Sequence, residues 1–391
     1  MCKLKLYITC ILFWGAVLSS YSQNIGDLSF GTDSTLEVIT WNLENFPKED
    51  QTTMDYVTQI VTALDADVIA LQEIYDLYMF NQMLDDLDGY SGFIVPGNYT
   101  DLAYIYKSSS VEINDIYEIY TSSAYWTPFP RPPLVIDFNF KGYNFIVINN
   151  HLKCCGDGTM DPGDPDDEET RRFRANNLIT QYIDEYFPDK MVFIVGDMND
   201  ELTDEADNNV FRIMLEDPEN YLFADYEIAT GNSNNWSYPT WPSHLDHIAI
   251  TNELFSVFEN EGSGIQVLKI EESIAGGWWA YEDKISDHRP VAIKLALPAD
   301  LGIGGTEDVA GRLVCYPNPM NQATTITLPS YSGPAAISIY NIQGQIVYSE
   351  TLAASQASLS WNTADVPDGI YFARLVVNNN EVAGAKLVVL R

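Results

Sequence analysis

Only four histidines occur in 391 residues, and all four fall at or beside points where a short apolar run gives way to carboxylates or amides. Val38-Ile39-Thr40-Trp41 leads to Asn42 and Glu44, Val68-Ile69-Ala70-Leu71 to Glu73, Phe145-Ile146-Val147-Ile148 through two Asn to His151, and Val192-Phe193-Ile194-Val195 through Gly196 to Asp197 and Asn199. His288 stands in Ser286-Asp287-His288-Arg289-Pro290, just ahead of the run Val291 to Leu295. Glu44, Glu73, Asp197 and Asp287 are hard oxygen ligands suited to Mg²⁺, with Mn²⁺ or Ca²⁺ as alternatives. Asn42 and Asn199 can orient a phosphate oxygen or a water without adding charge. Two imidazoles beside such a cation can exchange protons with an attacking water and a leaving oxygen, a set of groups that suits phosphate-ester hydrolysis. No Gly-x-Ser-x-Gly turn or Cys-His arrangement supports a Ser or Cys nucleophile.

These residues need a frame. Near-continuous apolar runs imply strands buried on both faces, and polar residues at their ends would converge on one rim. Between them, residues 52 to 65 place Tyr56, Ile60, Val61 and Leu64 on a helical stripe, and residues 171 to 187 do the same with Phe173, Leu178, Ile179, Tyr182, Ile183 and Phe187. The expected fold class is α/β, a four-layer sandwich of two packed sheets flanked by helices. Pattern alone also permits a parallel doubly wound sheet.

Six segments, namely Trp41-Asn42-Leu43-Glu44-Asn45, Leu71-Gln72-Glu73, Asn149-Asn150-His151-Leu152, Gly196-Asp197-Met198-Asn199, Leu245-Asp246-His247-Ile248 and Ser286-Asp287-His288-Arg289-Pro290, resemble in order and spacing the motifs of the endonuclease/exonuclease/phosphatase superfamily. The resemblance spans nearly all of residues 36 to 297. It implies that Glu73 is the main metal ligand, with Asn42, Glu44 and Asp287 close to metal or phosphate. Asp197 and Asn199 would position water and phosphate. His288 would be the base or a phosphate clamp, held by Asp246, while His151 would contact the phosphate or protonate the leaving group. Arg131 resembles the phosphate-binding Arg of secreted members. Tyr99 and Asp101 resemble a Tyr-x-acid pair that touches phosphate and supports the first histidine.

Other features have plainer readings. His247 should point away from Asp246 along an alternating strand and pack, whereas His244 shares the Asp246 side and is a rim candidate. The seven acidic residues between Asp157 and Glu169 lack EF-hand spacing and read as a solvated loop, which Arg171, Arg172 and Arg174 would answer. Trp278-Trp279-Ala280-Tyr281 could wedge into lipid, stack on a base or fill the core.

The ends of the chain speak to location. Lys3 and Lys5, the apolar run from Leu6 to Leu18, and Ser19 to Gln23 read as a signal peptide over residues 1–22, too short for a comfortable membrane span. Residues 23–35 form a lead-in, 36–298 the catalytic domain and 299–312 a Gly-rich linker. Residues 313–391 alternate like a small all-β sandwich. Tyr316-Pro317-Asn318-Pro319, Ile339 to Gln345, Trp361, Gly369-Ile370-Tyr371 and Lys386 to Val389 resemble the C-terminal sorting domain of the type IX secretion system. That resemblance implies engagement of the secretion machinery and a secreted or cell-surface protein. Without the signal, three Cys remain, and adjacent Cys154 and Cys155 are either two thiols or a small strained ring.

The formal charge is −36, and residues 33 to 298 hold 48 acidic and 14 basic side chains, a net of −34. An acidic surface argues against tight, sequence-reading binding of nucleic acid. Short or single-stranded phosphodiesters, bound weakly and locally, stay in play. The expected function is a secreted nuclease, with a sphingomyelinase-like phosphodiesterase, a phosphomonoesterase and a non-catalytic binding protein as alternatives.

Overall fold

The computed structural model describes residues 24–96, 101–297 and 313–390, apart from 317, 319, 329–330, 332, 342–343, 354–355, 365 and 379. The proposed signal peptide and linker, together with Tyr99, lie outside the described residues.

Two six-stranded mixed sheets face each other. The first contains β1 (Leu36–Phe46), β2 (Val68–Ile74), β3 (Tyr90–Ile94) and β4 (Ala103–Lys107). The second is built from β5 (Glu112–Glu118), β6 (Leu134–Phe140), β7 (Tyr143–His151), β8 (Met191–Asp197), β9 (Tyr221–Phe223) and β10 (Asp246–Thr251). The chain then returns to the first sheet with β11 (Gly264–Val267) and β12 (Val291–Leu295). The strand orders are β11-β12-β1-β2-β4-β3 and β5-β6-β7-β8-β10-β9. At the centre of each sheet is one parallel pair, β1 with β2 and β7 with β8, and every other neighbour is antiparallel. A parallel pair needs a crossover. Helix α1 (Asp50–Leu64) supplies it in the first sheet and α3 (Glu168–Tyr186) in the second; α2 (Leu77–Asp85) follows β2. The outcome is the four-layer sandwich, and the doubly wound alternative is not what forms.

Alternation along the strands builds three cores. On β1, Leu36 and Val38 face the second sheet, while Ile39, Trp41 and Leu43 join the helix-covered layer. Helix α1 buries Met54, Val57, Ile60, Val61 and Leu64, so the stripe centres beside Tyr56, which is half-buried. Helix α3 begins earlier than its apolar spacing indicates because Asp167 caps it, accepting from Thr170 N at 2.8 Å. Its buried face includes Arg172 and Asn176 besides Ala175, Ile179 and Ile183.

The intersheet layer changes character along its length. Inward-facing residues read Leu36, Val38, Thr40, Asn42 on β1; Val68, Ala70, Gln72 on β2; Phe145, Val147, Asn149, His151 on β7; and Phe193, Val195, Asp197 on β8. On antiparallel β10 the order reverses, Asp246 then Ile248 and Ile250. Gln72 Nε2 donates to Asn149 Oδ1 at 2.8 Å, and Asn149 Nδ2 to Leu71 O at 3.0 Å, which floors the polar end with satisfied amides.

The C-terminal region is all β: β13 (Val314–Tyr316), β14 (Ala323–Thr327), β15 (Ala335–Asn341), β16 (Ile346–Leu352), β17 (Ser358–Asn362), β18 (Gly369–Val377) and β19 (Asn380–Val389). They form sheets of three and four strands around Ile326, Ile337, Ile339, Trp361, Leu375 and Leu387.

Candidate active site

The rim gathers the C-terminal ends of the parallel strands and the N-terminal ends of their antiparallel neighbours. Backbone geometry sharpens the turn inward. Glu44, Asn45, Glu73 and Asn199 all have positive φ, and the β1–β2 register shifts between Asn42 and Phe46. Such conformations cost energy in non-glycine residues and recur at functional sites.

Asp197 is central. Asn42 Nδ2 donates to its Oδ2 at 2.9 Å and to Glu73 Oε1 at 3.1 Å. Two imidazoles flank the same oxygen: His288 Nε2 lies 3.9 Å from Asp197 Oδ2 and His151 Nε2 lies 3.8 Å from it. These distances are too long for hydrogen bonds. Each ring is fixed from behind, His288 Nδ1 donating to Asp246 Oδ2 at 2.7 Å and His151 Nδ1 to Asp101 Oδ1 at 2.8 Å. A carboxylate behind Nδ1 sets the tautomer and leaves Nε2 facing the rim.

Electrostatics follow from burial opposed by charge. Burial alone would lower His288, but Asp246 and Asp197 outweigh it and the imidazole is pushed up to about 10. His151 is raised in the same way, burial being overcome by Asp101. For Asp101 burial is outweighed by His151 and Arg131, so its carboxyl is lowered. Burial raises Asp197 against the opposing pull of His288.

Beside Asn42 and Glu73 lie Glu44 and Asp287. Glu44 Oε2 accepts from Asp287 N at 2.8 Å and is paired with Lys48. Burial pushes both carboxyls up, Lys48 opposes the rise in each, and repulsion from Asp287 adds to it at Glu44 and from Glu73 at Asp287. Among the described residues, the rim group whose ligand atoms lie within 4.8 Å of one another is Asp197, Asp246 and His288; Glu44, Glu73 and Asp287 add carboxylate oxygens beside it, the donor type that a hard divalent cation takes.

The segment that carries Asp287 and His288 is braced. Ser286 Oγ donates to Asn42 O at 2.7 Å, and Trp41 Nε1 donates to Tyr281 Oη, which donates to His288 O at 2.6 Å. Trp278 packs against the helix-side core with Arg289 over its ring, whereas Trp279 is 75% exposed. Tyr78, Trp126 and Trp241 are also exposed and occupy connections that enter or leave strands at the rim.

The expected residues come together with few departures. Asn199 is held by its own N–H to Asp197 Oδ1 at 3.0 Å, and its side chain donates to Leu152 O at 3.3 Å. Arg131 Nε meets Asp101 Oδ2 at 2.8 Å, so it reaches the site through the His151 support. Tyr75, which lies outside the motifs, adjoins this pair; its hydroxyl is pushed up to about 12 by burial and then by Asp101 and Glu73, with Arg131 opposing. Its one signal is its place two residues after Glu73. His244 is not at the open rim: it and His247 are buried against Asp225, at 3.0 and 2.6 Å. Arg172 answers the acidic run from the interior rather than from solvent, its Nη2 lying 3.1 Å from Glu169 Oε1. It is buried, with Nε on Asp200 Oδ2 and Nη1 on the carbonyls of Lys153 and Cys155, all at 2.7 Å.

Asp225, His244 and His247 could be taken for a second metal cluster. Hydrogen bonding argues otherwise. Ser237 N donates to His244 Nδ1, which puts the proton of that ring on Nε2, facing Asp225. His247 faces an acceptor at each nitrogen, Asp225 Oδ2 and, at 2.9 Å, Asp200 O, so both nitrogens carry protons. The group is a buried ion pair.

A rim of paired carboxylates and imidazoles on a two-sheet sandwich defines a phosphoester hydrolase. The chain belongs to the Endonuclease/Exonuclease/phosphatase family, whose model matches residues 39–288, and residues 314–390 match the secretion system C-terminal sorting domain. Similar solved structures include D. rerio TDP2 complexed with a single-strand DNA product (16% identity, TM-score 0.51, covering 67% of this chain and 99% of that one). The human Nocturnin catalytic domain with bound sulfate anion is similar at 16% identity and TM-score 0.47, covering 67% and 94%. A mannosyl-6-phosphatase of Bacteroides thetaiotaomicron is similar at 16% identity and TM-score 0.45, covering 66% and 99%. No curated protein matches the chain. The sorting domain implies export to the cell surface or medium, and among the described residues no helix is long and apolar enough to cross a membrane.

Proposed function

We propose that the chain is a secreted, Mg²⁺-dependent phosphodiesterase, a nuclease that cleaves extracellular DNA or RNA after export through an N-terminal signal and the type IX machinery. The observation that carries this reading is the pair of Asp-backed imidazoles whose free Nε2 atoms flank Asp197 Oδ2 at 3.8 and 3.9 Å. Diester hydrolysis needs one group to take a proton from water and another to give one to the leaving oxygen. Asp197, with Asn199, orients the water. His288 takes its proton or, while charged, clamps the phosphate, and His151 serves the leaving oxygen. Asn42 and Arg131 bind phosphate oxygens, and Tyr99 contributes from outside the described residues. Glu44, Glu73 and Asp287 would hold the cation, which supplies charge stabilisation at the phosphoryl group.

Exposed Trp126, Trp241 and Trp279 on rim connections give planar surfaces on which bases stack, an interaction that tolerates the acidic surface better than a basic groove would. Within the run Trp278 to Tyr281 only Trp279 is well exposed, and it stands beside Glu282 and Asp283, which is poor material for lipid insertion. The test is parallel turnover of single-stranded DNA, single-stranded RNA, duplex DNA, bis-nitrophenyl phosphate, a phosphomonoester and sphingomyelin vesicles. Highest kcat/KM on a single-stranded polynucleotide is expected. Preference for the monoester or the vesicles would overturn the nuclease reading.

A further inference from the structure

Cys154 and Cys155 lie three and four residues after His151 along the chain, and nothing in the proposed hydrolysis uses them. Their Sγ atoms lie 3.1 Å apart, inside ordinary sulfur–sulfur contact. Cys155 is exposed and Cys154 half-buried, so a small oxidant can reach the pair. The surrounding backbone is already committed to a tight turn. Cys155 has φ of +71° and Gly156 +112°, and a Cβ on Gly156 would meet Glu169 Oε1 at 2.2 Å. Buried Arg172 pins the carbonyls on both sides, Lys153 O and Cys155 O, while Lys153 Nζ donates to Cys154 O at 2.9 Å. The segment is thus held with its two sulfurs together, so little conformational freedom is left to lose on ring closure.

We propose that Cys154 and Cys155 form a reversible dithiol–disulfide site that closes into a vicinal disulfide once the protein reaches an oxidising exterior. The oxidant is a low-molecular-weight disulfide. The exposed Cys155 thiolate attacks it, forming a mixed disulfide and releasing one thiol. Cys154 then attacks Cys155 Sγ, closing the protein S–S bond and releasing the second thiol. The protein loses two hydrogens and two electrons, and the oxidant gains them. Adjacent Cα atoms are about 3.8 Å apart across a trans peptide, short of the ~4.4–6.8 Å that disulfides usually span. The bridge is therefore expected to reopen readily under reductant. Closure bears on the site, because Leu152 N bonds Asp197 O at 3.0 Å and Asn199 bonds Leu152 O.

The test uses the full exported chain, equilibrated with oxidised glutathione, denatured, blocked with iodoacetamide and cut with trypsin. Cleavage after Lys153 and Arg171 isolates both sulfurs in one peptide, and Cys315 in another serves as the internal standard. Peptide 154–171 is expected to be unlabelled and lighter by two hydrogens. After dithiothreitol it should carry two labels, with Cys315 labelled in both samples. Two labels without reduction, a persistent glutathione adduct on Cys155 or a bridge to Cys315 would each overturn the proposal. In Cys154→Ser the glutathione adduct should instead accumulate at Cys155; an unmodified Cys155 there would contradict the exchange route.

Discussion

Strand β10 places two Asp-His assemblies back to back. Asp246 points between the sheets toward His288, and its neighbour His247 points the other way toward Asp225. Both imidazoles are buried, each meets a carboxylate at 2.6 to 2.7 Å, and both are raised above the ordinary histidine value. The difference lies in the second nitrogen. His247 Nε2 is spent on Asp200 O at 2.9 Å, whereas among the described residues the carboxylates nearest His288 Nε2, those of Asp287 and Asp197, lie 3.8 and 3.9 Å away. A ring with one nitrogen held and one free can pass a proton to a ligand. A ring with both held is a structural cation. Residue type and burial do not distinguish the two; the fate of the second nitrogen does.

Several substitutions can break or sharpen this contrast. His288→Ala should lower kcat/KM on a phosphodiester by about 10³-fold, and His151→Ala by about 10²-fold, within the range for loss of a proton-transfer group. Both also leave a buried carboxylate, Asp246 or Asp101, without its counter-charge and so cost stability; turnover is therefore read on folded protein, where a rate near wild type would reverse the assignment. Arg131→Ala should raise KM about tenfold with kcat little changed, read from steady-state kinetics, because it removes a phosphate contact. His247→Leu should leave the turnover of folded protein within about threefold. It should cost about 3–5 kcal/mol in a urea melt, since Asp225 would remain buried without its counter-charge. The raised value of His247, set by Asp225 against burial, gives that loss a pH signature. The stabilisation is complete below the unfolded histidine value of about 6.5 and fades as pH rises through the higher folded value. The stability gap between wild type and His247→Leu should therefore narrow in alkaline buffer, and a gap that widens would contradict the ion pair.

Much of this was legible in the chain. Strand ends reveal themselves because apolar runs stop at carboxylates, and period-two alternation tells which side of β10 Asp246 and His247 take. What alternation leaves open is depth and partner. Alternation extended back from β10 would put His244 on the Asp246 side, yet the residue precedes the strand and is buried with His247 against Asp225, about twenty positions earlier and with no periodic relation to it. Arg172 sits among three arginines at a helix start, and only the fold shows that the segment after His151 and Asp200 both close on it. Asp101 and Arg131 come from connections on different sheets, so their contact is a product of the two sheets facing each other.

The most direct measurement is cleavage of a single-stranded oligonucleotide by the exported protein after chelation and dialysis, then after return of Mg²⁺. The account predicts that turnover falls to background once Glu44, Glu73 and Asp287 have lost their cation, and recovers with added Mg²⁺. Undiminished cleavage in the presence of EDTA would contradict it.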